Sequence, residues 1–283
     1  MDGILLIDKP SGMSSFAVVR QVKKIFETKK VGHAGTLDPL ATGLLIVVLG
    51  RYTKFAELLT GAEKKYIAEI ELGSSTTTDD REGELLFRKP YGHITLDEVS
   101  LILKKFEGEI YQTPPKFSAI KYQGQRAYSL ARKEKEVILS PRKVQIKKLE
   151  LKNFTPPIFG IEVHCSKGTY IRSLARDIGE ALGVGGFAKS IRRISSGEFS
   201  ITDAKKLDEL DQKREYLLKT GDSALLGIKK IFINCDDARK LARGQCVSIS
   251  SPYSEEKAVA FLETEPIAIV NIASGFLKPL RVI

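Results

Sequence analysis

Asp38 stands where this chain concentrates unusual chemistry, in the stretch Val31 to Gly50, VGHAGTLDPLATGLLIVVLG. Gly32, Gly35, Gly43 and Pro39 force tight backbone geometry around a single carboxylate, because glycine permits positive φ while proline fixes its own φ and lacks a donor. The loop runs directly into LLIVVL, an apolar run that reads as a buried strand, so the carboxylate is mounted on the core. A carboxylate on such a mount has two chemistries open to it, nucleophile or base. The Asp-Pro pair also opens many helices, with Asp as N-cap and Pro at the first helical position. Taken alone, the pair leaves both readings open.

A second reactive candidate lies further along the chain. Phe159 to Cys165 reads as a strand and Ser166-Lys167-Gly168 as its turn. Thr169 then caps a helix whose Ile171, Leu174, Ala175 and Ile178 form the buried side. Tyr170 and Arg172 fall near its N-terminus, on a different face. An arginine at the positive end of a helix is electrostatically misplaced unless an anion waits there. Lys64 to Leu72 alternates strictly enough for a strand with Tyr66, Ala68, Ile70 and Leu72 on one face, which makes Tyr66 a core aromatic by pattern. Lys64 itself reads as an exposed cation.

Two stretches invite over-reading. Gly73 to Gly83, GSSTTTDDREG, has adjacent acids at Asp79 and Asp80, but no third ligand and no glycine at the calcium-loop position. Gly183 to Ser190, GVGGFAKS, nearly spells a phosphate-binding loop. It follows a helix ending at Leu182, with Gly183 as its cap, whereas a phosphate-binding loop must follow a strand.

The string His33-Ala34-Gly35-Thr36-Leu37-Asp38-Pro39-Leu40-Ala41-Thr42-Gly43 closely resembles the signature of the tRNA pseudouridine-55 synthases, the TruB family. The resemblance covers nearly all of residues 3 to 250. It implies that Asp38 is the catalytic residue, that Tyr66 of the K-K-Y string stacks on the target base, and that G-T-Y-I-R supplies Tyr170 and an Arg172 that pairs with Asp38. It also implies that Asp80 supports that arginine and that His33 fills in for the flipped base. By the same resemblance Lys9 lies near the cleft, and Ile191 packs there ahead of the paired Arg192 and Arg193. For Lys9 the residues alone suggest a solvated turn. The implied fold is α+β, a mixed, largely antiparallel sheet flanked by helices, with a small C-terminal PUA-like β-barrel. The implied activity is isomerisation of uridine in the T-loop of tRNA, without metal or cofactor. The rival readings are a non-catalytic RNA-binding protein or tRNA chaperone, and a guide-RNA-dependent relative within a larger particle.

The elements that must position these residues are legible in outline. The 283 residues suffice for a catalytic domain over 1–228 and a small RNA-binding module over 229–283, the latter marginal for folding alone and expected to dock on the rest. Gly3 to Asp8 is a strand, Lys9 to Gly12 a turn, and Ser14 or Ser15 caps a helix with Phe16, Val19, Val22 or Lys23, and Phe26 on an apolar stripe. Thr95 to Glu98 is a capping box opening a helix through Phe106. The segment YQTPPKFSAIKYQGQRAYSLARKEKEV interleaves aromatics with cations, as RNA surfaces do, or else is a solvent-facing insertion with a short helix from Gln125 to Lys135.

Charge points the same way. Forty-five Lys and Arg against 35 Asp and Glu leave a net +10, in clusters at 20–30, 142–148, 192–193 and 239–243, which suits a polyanionic partner. Cys165, Cys235 and Cys246 show no paired spacing, so neither a disulfide framework nor a zinc site is expected. With no leader-like N-terminus and no membrane span, a cytoplasmic monomer is the expectation.

Overall fold

The computed structural model describes residues 1–118, 120–122, 124–126, 137–210, 217–249 and 256–283. The chain divides into two compact units, Met1–Pro39 with Gly43–Ala62 and Gly197–Ile283, and Leu40–Thr42 with Glu63–Ser196.

In the first unit β1 (Gly3–Lys9) and β2 (Val31–Ala34) both pair antiparallel with β3 (Thr42–Leu49). The other edge of β1 bonds to the backbone of Lys205 and Lys219. Helix α1 (Ser15–Ile25) starts at Ser14, whose side chain accepts from the Ala17 amide. Ser15, Val18, Val19, Val22 and Phe26 are buried, but Phe16 is 63% exposed. The expected stripe included Phe16. At about 100° per residue the buried residues share one arc and Phe16 falls outside it.

The C-terminal residues of this unit form a five-stranded sheet in the order Lys230–Phe232, Glu256–Leu262, Glu265–Ala273, Phe276–Val282, Val247–Ser248. The first pair is parallel and the others antiparallel, with the Cys235–Ala242 helix packed on the sheet. The expected PUA-like β-barrel takes the form of this five-stranded sheet. Val259, Phe261 and Ile269 share one apolar cluster with Ile4, Leu44 and Phe55, so the sheet docks on β1 and β3 as its small size requires. Among the described residues, no helix is long and apolar enough to cross a membrane.

The second unit is built on an antiparallel sheet. Its strands are β4 (Lys64–Leu72), β7 (Gly108–Gln112), β10 (Arg142–Thr155), β11 (Ile158–Cys165) and β12 (Gly186–Ser196), in the order β12-β4-β11-β10-β7. Side hairpins are β5 (Ser74–Thr76) with β6 (Leu85–Arg88), and β8 (Lys121–Tyr122) with β9 (Gln125–Arg126). The expected helix from Gln125 to Lys135 therefore begins as a strand, and its remainder lies outside the described residues. The Leu96–Lys105 helix opens with the expected capping box at Thr95 and Glu98. The Ile171–Ala181 helix packs on β12 and β4.

β4 alternates buried and exposed positions as expected, and that alternation buries Lys64 as well, which is 6% exposed. The expectation of an exposed Lys64 is thus overturned. The residue has the same parity as Tyr66, Ala68 and Ile70, and in a strand parity decides the face. The phosphate-loop look-alike is disposed of by topology. Lys189 and Ser190 lie within β12, where they meet Glu71 at 3.2 Å and Glu69 at 2.8 Å.

Candidate active site

The residues singled out above fall into two groups, one in each unit. Asp38 lies in the half-buried loop between β2 and β3, bracketed by Gly35 at φ 93° and Gly43 at φ 98°. No helix follows it, since the chain passes from Pro39 into β3 at Thr42. The helix-cap reading of Asp38-Pro39 is therefore excluded, because a cap must accept from the amides of a helical turn.

Both chain neighbours of Asp38 are anchored. Ser15 Oγ accepts from the Leu37 amide at 2.8 Å and donates to the Leu37 carbonyl at 2.9 Å. Lys9 is fully buried, and its ammonium donates to the carbonyls of Pro10 at 2.8 Å, Met13 at 2.6 Å and Pro39 at 3.2 Å. The Gly12 amide donates to the same Pro39 carbonyl at 2.8 Å. A buried ammonium is tolerable only when its donors are matched, and three donors here meet three carbonyls. Lys9 is thus not the solvated turn residue its sequence context suggested. It ties the turn after β1 to the loop that carries Asp38. His33 is placed within β2, opposite Val47, and is a strand residue rather than a loop one.

In the second unit the anion demanded by Arg172 is present. Asp80 Oδ2 lies 3.3 Å from Arg172 Nη1, with both side chains almost wholly buried. Arg172 also donates to the carbonyls of Thr78 at 3.1 Å and Phe117 at 2.9 Å. Asp80 accepts from the Glu82 amide at 3.0 Å and from the Thr78 hydroxyl. The neighbouring Asp79, in the left-handed region at φ 59°, pairs with Arg176 at 2.8 Å. Burial raises the Asp79 carboxyl above its ordinary range, with Arg176 opposing. Backbone bonds between Ala188 and the residues at 79 and 81 clip the loop to β12. The adjacent acids thus hold two guanidinium groups. Among the described residues, no three of His, Cys, Asp and Glu are grouped to hold a metal.

The helix carrying Arg172 begins one residue later than the sequence suggested. Its N-cap is Tyr170, without a side-chain cap, because the Thr169 hydroxyl donates instead to Ser166 O at 3.0 Å. The Gln112 carboxamide accepts from the Tyr170 amide at 2.8 Å and donates to its carbonyl at 3.0 Å. A side chain of β7 thereby fixes the entry to the helix.

Tyr66 sits on the buried face of β4 with Val163 opposite on β11 and Arg193 opposite on β12. Lys64, two residues away on that face, is brought down to about 8 by burial, reinforced by Arg193. Ile191 and Arg193 share the buried side of β12, and Arg193 is 1% exposed. Arg192, on the other side, donates to Thr42 Oγ1 at 3.4 Å, while that hydroxyl donates to Ile191 O at 3.5 Å. Two buried cations thus stand beside one phenol at this end of β4.

Sequence reasoning passed over Ser15, Lys64 and Gln112 as functional supports. Strand parity was a signal for Lys64. Nothing in the local sequence pointed to the partners of Ser15 or Gln112, which lie on distant segments.

Comparison with known proteins follows the same outline. The TruB family pseudouridylate synthase N-terminal domain matches residues 23–171, and the tRNA pseudouridylate synthase B C-terminal domain matches residues 172–228. A tRNA pseudouridine synthase B of Mycobacterium tuberculosis (strain ATCC 25618 / H37Rv) is 40% identical over 274 residues, covering 93% of this chain and 92% of that one. Its counterpart in Aquifex aeolicus (strain VF5) is 39% identical over 289 residues and covers 100% of both. Among solved structures, the archaeal box H/ACA sRNP Nop10–Cbf5 complex contains a chain with TM-score 0.77 and 23% identity, covering 99% of this chain and 85% of that one. A Cbf5–Nop10–Gar1 complex gives TM-score 0.77 and 25% identity, covering 99% and 84%. The fold is shared with those chains.

Proposed function

The chain belongs to the TruB family of pseudouridylate synthases, and from that premise we propose that it converts uridine 55 in the T-loop of tRNA to pseudouridine, as a cytoplasmic monomer without metal or cofactor. The supporting observation is the anchoring of Leu37 and Pro39 on either side of Asp38, which suits a carboxylate that must meet one reacting atom. The reaction breaks the C–N glycosidic bond, turns the uracil and rejoins it through C5, whose proton is released. Water must not intervene, so one carboxylate at the sugar is required rather than the acid and base pair of a hydrolase. Asp38 acts there, by attack at C1′ or by removing the C2′ proton.

The target base has to leave its stack, at about a few kcal/mol. In this reading Tyr66 stacks on the extruded uracil, His33 takes the vacated position, and Arg172, with Tyr170 beside it and Asp80 behind it, holds Asp38. Ile191 lines the cleft. Lys9 supports the loop, and Arg192 and Arg193 supply positive charge. Residues 229–283 act as a PUA-like module that grips phosphates.

Asp38→Asn is the deciding variant. It keeps the shape and removes the charge, and an amide neither attacks a sugar carbon nor takes a proton at neutral pH. Tritium release from C5-labelled uridine in a tRNA transcript should fall to background while tRNA binding stays within about a few-fold of the parent. Substantial release by the Asn variant would refute the role of Asp38. No release by the parent would leave an RNA-binding protein.

A further inference from the structure

Phe16 is a large apolar side chain left in water on a helix that buries Val18, Val19 and Val22. Solitary exposed apolar residues are common and by themselves mean little. Here four features coincide. The Arg20 guanidinium carbon lies 5.6 Å from the centre of the Phe16 ring, so the pair presents a joined aromatic and guanidinium surface. Phe16, Arg20 and Lys24 are spaced four apart, all exposed, and so lie along one outer face of α1 with Lys23 at its rim. The helix has no acid in its first turn. Finally, the residue before Phe16 is Ser15, whose hydroxyl holds Leu37 and so ties the start of this helix to the loop of Asp38.

We propose that Phe16 and Arg20 form a stacking platform for an unpaired base of the RNA substrate, with Lys24 continuing the face toward a phosphate. The inference rests on the RNA-modifying reading above. A flat apolar ring adjoining a guanidinium plane is what splayed-out bases stack on, and a line of cations without acids complements the backbone. A second protein would want a broader apolar patch, whereas here one ring is followed by cations.

The test uses the full-length chain and a tRNA transcript. Loss of one base–aromatic stack weakens binding by roughly tenfold, so Phe16→Ala should raise Kd about tenfold at fixed salt and keep the single-turnover rate at saturating enzyme. Its melting temperature should match the parent's, since the ring is exposed. Phe16→Trp should restore the Kd. Arg20→Ala should also raise Kd and flatten the salt dependence by about one unit of slope. A parental Kd for Phe16→Ala overturns the proposal, and so does failure of Trp to restore binding. Absence of tritium release in the parent would instead defeat the catalytic reading while the comparison of Kd values still stands.

Discussion

The hydroxyl of Ser15 binds both backbone groups of Leu37, the amide at 2.8 Å and the carbonyl at 2.9 Å. A single side chain at the start of α1 thus fixes the peptide immediately before the candidate catalytic carboxylate.

Ser15→Ala should therefore loosen the loop before it unfolds the protein. Two hydrogen bonds of about 0.5–1.5 kcal/mol net each are lost, and the Leu37 amide loses its acceptor. Amide exchange at Leu37 should speed markedly, and single-turnover pseudouridine formation should fall about ten- to a hundredfold, because positioning is worth that much. Parental exchange at Leu37 together with parental rate would show that the contact is dispensable.

The Arg172–Asp80 pair is almost wholly buried on both sides, so removing one partner strands the other. Asp80→Ala should cost about 3–5 kcal/mol in urea unfolding, part of which Arg172→Met restores in the double variant. A double-mutant cycle with no coupling between the two would mean that Asp80 does not hold the guanidinium.

Lys64 offers a pH test with a definite sign. Its folded value is brought down to about 8 from 10.5, so between those limits the unfolded chain binds more protons and stability rises with pH. The deficit from burying the charge is fully present below pH 8 and is relieved as pH approaches 10.5. Against Lys64→Met, which carries no charge, the parent should gain stability between about pH 7 and 9.5. A difference that stays flat across that range would place the ammonium in contact with water.

Truncation at residue 228 should not give a folded catalytic fragment, because Val259, Phe261 and Ile269 belong to the cluster that includes Ile4, Leu44 and Phe55. Their loss exposes core surface at about 25 cal/mol per Å². Full-length Lys240→Glu with Arg243→Glu is the better probe of RNA binding, since Lys240 and Arg243 are exposed. Its salt dependence should flatten by about one unit of slope for each phosphate that is no longer neutralised. A well-folded fragment 1–228, judged by cooperative melting, would contradict the shared core.

Much of this molecule is written locally. The alternation of β4, the capping box at Thr95 and the apolar run after Asp38 each follow from residues within one or two turns or strands, where propensity and periodicity act. The loop string around Asp38 likewise carried its family. Even the need for an anion beside Arg172 followed from the helix end on which that arginine stands. Tertiary structure decided what becomes of the charges. Lys9 looked like a solvated turn and is buried under three carbonyls, one of them supplied by Pro39. Thr169 looked like a cap, yet its hydroxyl turns to Ser166 and the Gln112 amide on β7 clamps Tyr170 instead. Hydrophobic periodicity tells which face of an element is buried, but a polar group can be buried only where distant segments bring it a partner, and that pairing exists only once the chain has folded.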